Sequence, residues 1–120
     1  MAHYTILLTA IAVLGIILTM KSRIHIEKRR LTGFCRKNGI RRLSLFGSVL
    51  RSDFASDSDV DVLVEFKPGH VPGFFQIYRM EQDLSRFFGN RKVDLRTPQD
   101  LSRYFRDDVL ALAEEQYAER

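Results

Sequence analysis

The sequence predicts an α/β fold in which a small mixed sheet is flanked by helices. Stretches with apolar residues at helical spacing follow or precede short stretches in which apolar and polar residues alternate, and glycines and prolines separate them. The predicted order is helix, strand, strand, helix, strand, helix, helix. The 120 residues give room for one small domain, which we place at residues 21–120, after an apolar segment at residues 1–20.

The first predicted helix and strand cover residues 26–46. In "IEKRRLTGFCRKNG" the apolar residues lie close to one helical face, and Asn38-Gly39 is a typical helix end. The following "IRRLSLF" alternates imperfectly and ends at Gly47, which indicates a strand that runs into a turn.

The second strand and the helix after it have clearer patterns. "VDVLVEF" alternates, with its valines and Phe66 on one face and its acids on the other. The loop "KPGHVPG" separates it from "FFQIYRMEQDLSRFFG", which has helical spacing. Seven aromatic residues are predicted to pack in the interior: Phe74, Phe75, Tyr78, Phe87, Phe88, Tyr104 and Tyr117.

The end of the chain is predicted to form a third strand and two closing helices. "RKVDLRT" is the strand, and "TPQDLSRYF" and "RDDVLALAEEQYAE" are the two helices. Thr97 followed by Pro98 is a typical helix start.

The segment from Tyr4 to Met20 carries no charge over 17 residues, the lower limit for crossing a bilayer. Basic residues follow it, which by the positive-inside rule would hold the rest of the chain in the cytoplasm. Three interpretations stay open: a membrane anchor at residues 4–20, an upstream start with Met20 as the true initiator, and a buried apolar helix. A cleaved secretory signal is not expected, because no basic region precedes the segment.

Positive charge is concentrated in one block. Between Lys21 and Arg42 there are nine basic residues and one acid, whereas ten basic and fourteen acidic residues follow from Leu43 onward. Such a block can face anionic lipid, nucleic acid or an acidic partner, or it can be a solvated helix face. The single cysteine, Cys35, can form no internal disulfide, which fits a reducing cytoplasm.

Asp59 and Asp61 are unexpected at the second strand, because aspartate is disfavoured in β-structure. They are two residues apart, so both carboxylates project from one face, roughly 6 to 7 Å apart at the backbone. Asp94 in the third strand joins them if that strand pairs beside the second. Like charges repel unless a cation lies between them, and carboxylate oxygens suit Mg²⁺. Three converging acids predict two-metal phosphoryl or nucleotidyl transfer.

Gly47-Ser48 ends the strand before these acids. Glycine permits close approach of the backbone, and the serine N–H and hydroxyl can hold phosphate oxygens. Arg51 is near enough in sequence to neutralise a triphosphate, and Ser58 directly precedes Asp59. Each feature alone is more often structural than functional. Their combination predicts a nucleotide site.

The spacing of these residues resembles that of the minimal nucleotidyltransferases of the DNA polymerase β superfamily. The signature of that family is Gly-Ser, ten residues, then Asp-x-Asp, and here the ten residues 49–58 separate Gly47-Ser48 from Asp59-Val60-Asp61. The resemblance extends from about Glu27 over essentially the rest of the chain. It departs from the family after Arg51, where serine replaces a frequent glycine, and at Arg96, where an apolar residue is common.

The resemblance implies a polymerase-β-like nucleotidyltransferase fold and a site for ATP and two Mg²⁺ ions. Asp59, Asp61 and Asp94 would be the metal-binding and catalytic acids, and Gly47-Ser48 would be the phosphate-binding turn. Stand-alone proteins of this size are similar to MntA-type antitoxins, which pair with a HEPN-domain ribonuclease toxin and transfer AMP from ATP to a toxin tyrosine. We therefore expect an antitoxin that is a protein adenylyltransferase. Two alternatives are an antitoxin that acts by binding alone, and a transferase that modifies a small molecule or RNA.

Overall fold

The computed structural model describes residues 26–51, 55 and 57–119. The helices and strands are, in chain order, α1 (Lys28–Lys37), β1 (Ile40–Phe46), a 3₁₀ turn (Gly47–Leu50), β2 (Val60–Phe66), α2 (Phe74–Phe87), β3 (Val93–Arg96), a second 3₁₀ turn (Pro98–Asp100), α3 (Arg106–Leu112) and β4 (Glu114–Ala118). Among these residues no helix is long and apolar enough to cross a membrane. The apolar segment 1–20, with its predicted helix, anchor or upstream start, lies outside them.

The four strands form one mixed sheet in the order β3-β2-β1-β4. β1 pairs antiparallel with both β2 and β4, and β2 pairs parallel with β3. The parallel pair requires a crossover connection, which α2 supplies. The predicted α/β fold with a small mixed sheet is thus confirmed.

The hydrophobic core lies between one face of the sheet and the two long helices. β2 contributes its valines, as the alternating pattern predicted, and β1 contributes Leu43 and Leu45. α1 adds Leu31, Phe34 and Cys35, and α2 adds Met80 and Leu84. Phe34 meets Phe87 edge to face at 5.9 Å between ring centroids, which joins the two helices over the sheet.

The aromatic predictions for α2 are correct at one end of the helix and wrong at the other. Phe88 is buried and Phe87 packs partly against the core, but Phe74 and Phe75 are 82% and 80% exposed. These two rings contact each other edge to face instead. Their helical spacing is right, but the buried residues of α2, Met80 and Leu84, lie further along the helix. Tyr78 and Tyr104 are also exposed, whereas Tyr117 packs against the core as predicted.

Of the two predicted closing helices, the first is absent, and the second begins at Arg106 as predicted but is only half as long as expected. Residues 97–105 contain only the short 3₁₀ turn, and the second helix ends at Leu112. Ala113 is extended, with φ −62° and ψ 138°, and the chain continues as β4 against β1. Alanine, glutamate and glutamine favour helix, but pairing with an open sheet edge outweighs that local preference. Arg42 forms an ion pair with Glu115, and Lys67 forms one with Glu119, directly after the strand.

Candidate active site

The two faces of the sheet have opposite character, and the predicted site lies on the face that the core does not use. In β2 the valines point toward the helices, so Asp61 points away from them. In β1 the partner of Asp61 is Phe46, the residue directly before the Gly47 turn. The alternation of β2 therefore places the valines in the hydrophobic core and Asp61 on the opposite, charged face of the sheet.

The parallel pairing of β2 and β3 brings two of the predicted acids side by side. Asp61 and Asp94 are direct register partners, and Val60 and Val62 pair with Val93 and Leu95 on the other face. Neighbouring strands lie about 4.8 Å apart, and partner residues in a sheet project to the same side. The convergence of Asp61 and Asp94 is the geometric core of the candidate site.

The neighbouring charges affect the pKa of Asp61. Its pKa is raised above the ordinary value, first by burial, then by the negative charges of Asp94 and Asp59. Arg96 and Arg51 act in the opposite direction but do not cancel the effect. Both other predicted acids therefore act on Asp61, whose ionised form a further positive charge would stabilise.

Gly47 packs directly against Asp61, in a position that favours glycine. Its φ is +76°, a conformation that residues with a side chain rarely adopt. A Cβ atom at Gly47 would also collide with the carboxylate oxygen Oδ2 of Asp61. The glycine of the predicted phosphate turn thus touches the predicted metal-binding acid through its backbone.

The other residues of the predicted nucleotide site lie around this contact, and each has a different environment. Ser48 donates a long hydrogen bond of 3.4 Å from its hydroxyl to the backbone carbonyl of Asp59, which links the turn to the start of β2. Arg51 is exposed, and its charge acts on Asp61. The hydroxyl of Ser58 accepts a hydrogen bond of 2.9 Å from the N–H of Ala55, so it holds the loop before β2.

The side chain of Asp94 is held by an arginine two residues later on the same strand. Arg96 donates from Nε to Oδ1 at 3.1 Å and from Nη2 to Oδ2 at 3.3 Å, so both oxygens of Asp94 are engaged. Within residues 26–51, 55 and 57–119, no group of three or more His, Cys, Asp or Glu is arranged to hold a metal ion. The backbone brings Asp61 and Asp94 together, but the three carboxylates are not turned to one point.

The donor set still fits a hard divalent cation by its chemistry. Asp59, Asp61 and Asp94 offer only carboxylate oxygens, the ligands that Mg²⁺ prefers. The raised pKa of Asp61 marks uncompensated negative charge that a cation would offset. Asp59 is exposed and Asp94 is partly exposed, so both side chains have room to turn. Their metal-binding role stays a prediction.

Comparison with known proteins identifies the family. The family model described as a nucleotidyltransferase domain matches residues 27–115, which include the whole sheet except the end of β4. The chain is a nucleotidyltransferase. The match begins one residue before α1 and so spans the turn, both acid-bearing strands and the crossover helix.

Two curated relatives of this nucleotidyltransferase are named for adenylyl transfer to proteins. A candidate protein adenylyltransferase of Methanocaldococcus jannaschii, MJ0435, is 31% identical over 83 residues, which cover 69% of this chain and 86% of the relative. The protein adenylyltransferase MntA of Thermococcus cleftensis is 39% identical over 57 residues, which cover 48% of this chain and 54% of the relative.

Solved structures share the fold. A candidate minimal nucleotidyltransferase superposes with a TM-score of 0.58 at 30% identity, over 72% of this chain and 85% of its own. A toxin-antitoxin complex with AMP-PNP gives 0.62 at 18% identity, over 79% and 76%. A complex of the tri-AMPylated Shewanella oneidensis HEPN toxin with its MNT antitoxin gives 0.55 at 18% identity, over 77% and 70%. The predicted fold is thereby confirmed as that of minimal nucleotidyltransferases.

The structure of the nucleotidyltransferase adds residues that the sequence did not single out. Glu81 of α2 accepts a hydrogen bond of 2.9 Å from the backbone N–H of Leu95, next to Asp94. A glutamate in an amphipathic helix gives no signal of such a contact, because the pairing depends on how α2 crosses β3. The sequence likewise gives no signal of the ion pair between Arg96 and Asp94, although Arg96 is one of the two residues at which it departs from the family pattern.

A cavity of about 420 Å³ opens beside the Gly47 turn. Its walls come from the turn and from α3, and they are mostly apolar: Phe46, Gly47, Leu50, Arg51, Phe105, Asp108, Val109 and Leu112. The sequence does not predict this cavity, because it depends on how α3 packs beside a turn that is about 60 residues earlier in the chain.

Proposed function

We propose that this nucleotidyltransferase is an antitoxin that transfers AMP from ATP to a tyrosine hydroxyl of a HEPN-domain toxin, with Mg²⁺ as cofactor. The observation that carries the proposal is the register pair of Asp61 and Asp94 beside the Gly47-Ser48 turn, within a domain of the nucleotidyltransferase family. Support for the acceptor comes from the relatives, which are named protein adenylyltransferases. Support for the partner comes from the structural neighbour that holds an AMPylated HEPN toxin.

The chain's own residues have distinct tasks in this reaction. The absent side chain of Gly47 leaves room for the carboxylate of Asp61. The N–H and hydroxyl of Ser48 would hold phosphate oxygens. Arg51 offsets the negative charge of the triphosphate. Asp59, Asp61 and Asp94 would hold Mg²⁺. When bound, Mg²⁺ neutralises the phosphate oxygens and makes the α-phosphorus more open to attack.

The transfer itself is a displacement at the α-phosphorus. The tyrosine oxygen forms a bond to that phosphorus, the bond to the β-phosphate bridging oxygen breaks, and pyrophosphate leaves. The hydroxyl proton passes to one of the site carboxylates, which are the basic groups on this face. Positioning and charge compensation are therefore what the chain must supply.

The test is a labelling experiment with the purified chain, the HEPN protein, Mg²⁺ and ATP labelled at the α-phosphate. We expect label on the HEPN protein, loss of label with Asp59→Ala, and retention with the control Asp83→Asn, which changes a carboxylate on α2. Mass spectrometry of the product identifies the modified residue. An unlabelled HEPN protein under conditions in which the complex forms would contradict the proposal.

A second candidate is an antitoxin that neutralises its partner by binding alone. It is favoured by the engagement of Asp94 with Arg96 and by an exposed apolar surface at the start of α2, formed by Val71, Phe74, Phe75 and Tyr78. The two candidates separate in a growth-rescue assay. Asp59→Ala still protects cells from the toxin if binding suffices, and fails to protect them if AMP transfer is required.

A further inference from the structure

The two hydrogen bonds between Arg96 and Asp94 place a positive charge beside the predicted cation site. Both residues lie on β3 two positions apart, so both project from the face that carries Asp61. The register partner of Arg96 is Leu63, two residues along the strand from the pair of Asp61 and Asp94. The guanidinium of Arg96 points back to Asp94. The charge of Arg96 also acts on Asp61.

The arginine and a divalent cation would compete for the same carboxylate. A carboxylate has about four lone-pair sites, so two hydrogen bonds do not fill it. The bidentate fork of Arg96 does orient both oxygens toward the guanidinium, and its positive charge repels another cation. Arg96 therefore competes with a divalent cation in two ways: it orients the oxygens of Asp94, and its charge repels the cation.

The pair is weak enough to be displaced. The side chains of Arg96 and Asp94 are 48% and 37% exposed, and ion pairs at such exposure are worth little because water screens them. A doubly charged ion that also contacts Asp61 has more to gain at this position than the guanidinium does.

We propose that Arg96 is an internal counter-cation that occupies Asp94 until a divalent cation displaces it, and that it thereby sets the cation affinity of the site. This inference rests on the proposed function, since it takes Asp94 as a cation ligand. Arg96 is a positioning residue here, because it acts through Asp94.

The test is calorimetric titration of Mn²⁺ into the full, metal-free chain without nucleotide. We expect Arg96→Leu to bind Mn²⁺ about five-fold more tightly than the unchanged chain, the order expected for removing one charge beside a partly exposed carboxylate. Arg96→Lys, which keeps the charge but lacks the planar fork, is expected to fall between them. The matched control Arg86→Leu removes the same charge from the exposed last turn of α2 and is expected to change the affinity less than two-fold.

The outcomes separate this inference from the proposed function. If the unchanged chain binds Mn²⁺ and Arg96→Leu binds it equally or less tightly, the competition is refuted while the metal site stands. If neither binds Mn²⁺, the metal site and this inference both fail. Circular dichroism of each variant establishes that it is folded before titration.

A second measurement takes its readout from the unchanged chain. The Nε–H resonance of Arg96 in a nitrogen-15 NMR spectrum, assigned by its absence in Arg96→Lys, reports the hydrogen bond to Asp94. We expect Mg²⁺ to shift this resonance in the unchanged chain as the pair opens. An Nε–H signal that stays fixed while Mg²⁺ saturates the site would refute the displacement.

Discussion

Replacing Asp61 with asparagine is expected to stabilise the metal-free fold. The substitution keeps the shape of the side chain and removes a charge that lies beside Asp94 and near Asp59. Unit charges at a strand spacing of about 5 Å repel by about 0.8 kcal/mol in water and by about 3 kcal/mol at an effective dielectric constant of 20. Asp61 is half-buried and partly compensated by Arg96 and Arg51, so we expect a gain of about 1–2 kcal/mol at pH 7.5.

The raised pKa of Asp61 determines how this gain in stability depends on pH. The pKa of Asp61 is raised in the folded chain, which means that ionisation of its carboxyl group lowers the free energy of unfolding. This loss of stability develops as pH rises through the raised pKa. The advantage of Asp61→Asn is therefore full at neutral pH. It shrinks as pH falls through the raised pKa and disappears below the ordinary value of 3.8.

The assay is urea unfolding in EDTA at a series of pH values from 7.5 to 4, read by circular dichroism. Asp83→Asn is the matched control, because Asp83 is not among the charges that act on Asp61. Added Mg²⁺ is expected to raise the midpoint of the unchanged chain more than that of Asp61→Asn. A variant that is less stable than the unchanged chain at pH 7.5, or a gain that does not vary with pH, would refute the reasoning.

Three further predictions follow from single contacts. Gly47→Ala is expected to lower the free energy of unfolding by at least about 1–2 kcal/mol in urea titrations, because of its positive φ and the collision with Asp61. Burial raises the pKa of the Cys35 thiol to about 12, so Ellman's reagent is expected to react at pH 8 only after unfolding, and rapid reaction of the native chain would contradict this. Glu81→Ala is expected to cost about 1 kcal/mol, because the N–H of Leu95 loses its acceptor, and to speed amide exchange at that N–H, with Glu81→Gln restoring part of both.

The sequence predicted those parts of the fold in which one local pattern decides the outcome. In β2 alternation alone assigns the valines to the core and Asp61 to the opposite face, and the structure agrees. The end of α1 was equally clear, because Asn38-Gly39 ends the helix with Gly39 at φ +66°. The position of Gly47 before the acids also followed from spacing, although its contact with Asp61 did not.

The parts that the sequence could not predict depend on partners distant in the chain. β4 is built of helix-forming residues and becomes a strand because β1 offers an unpaired edge. Phe74 repeats at helical spacing like a core residue, yet its ring is exposed. The same limit applies to Arg96, whose type is visible in the sequence but whose bond to Asp94 requires side-chain geometry.

The direction of Asp94 is fixed by packing on the opposite face of the sheet. Val93 and Leu95 are buried in the core, so a shift of β3 by one residue would expose both and turn Asp94 inward. α2 holds this register, because its buried residues join the same core and its Glu81 binds the N–H of Leu95. The acids themselves repel one another and cannot supply the force that aligns them. The hydrophobic face of a parallel pair therefore maintains a charge cluster that would otherwise separate, and this is why a small sheet can hold repelling carboxylates in register.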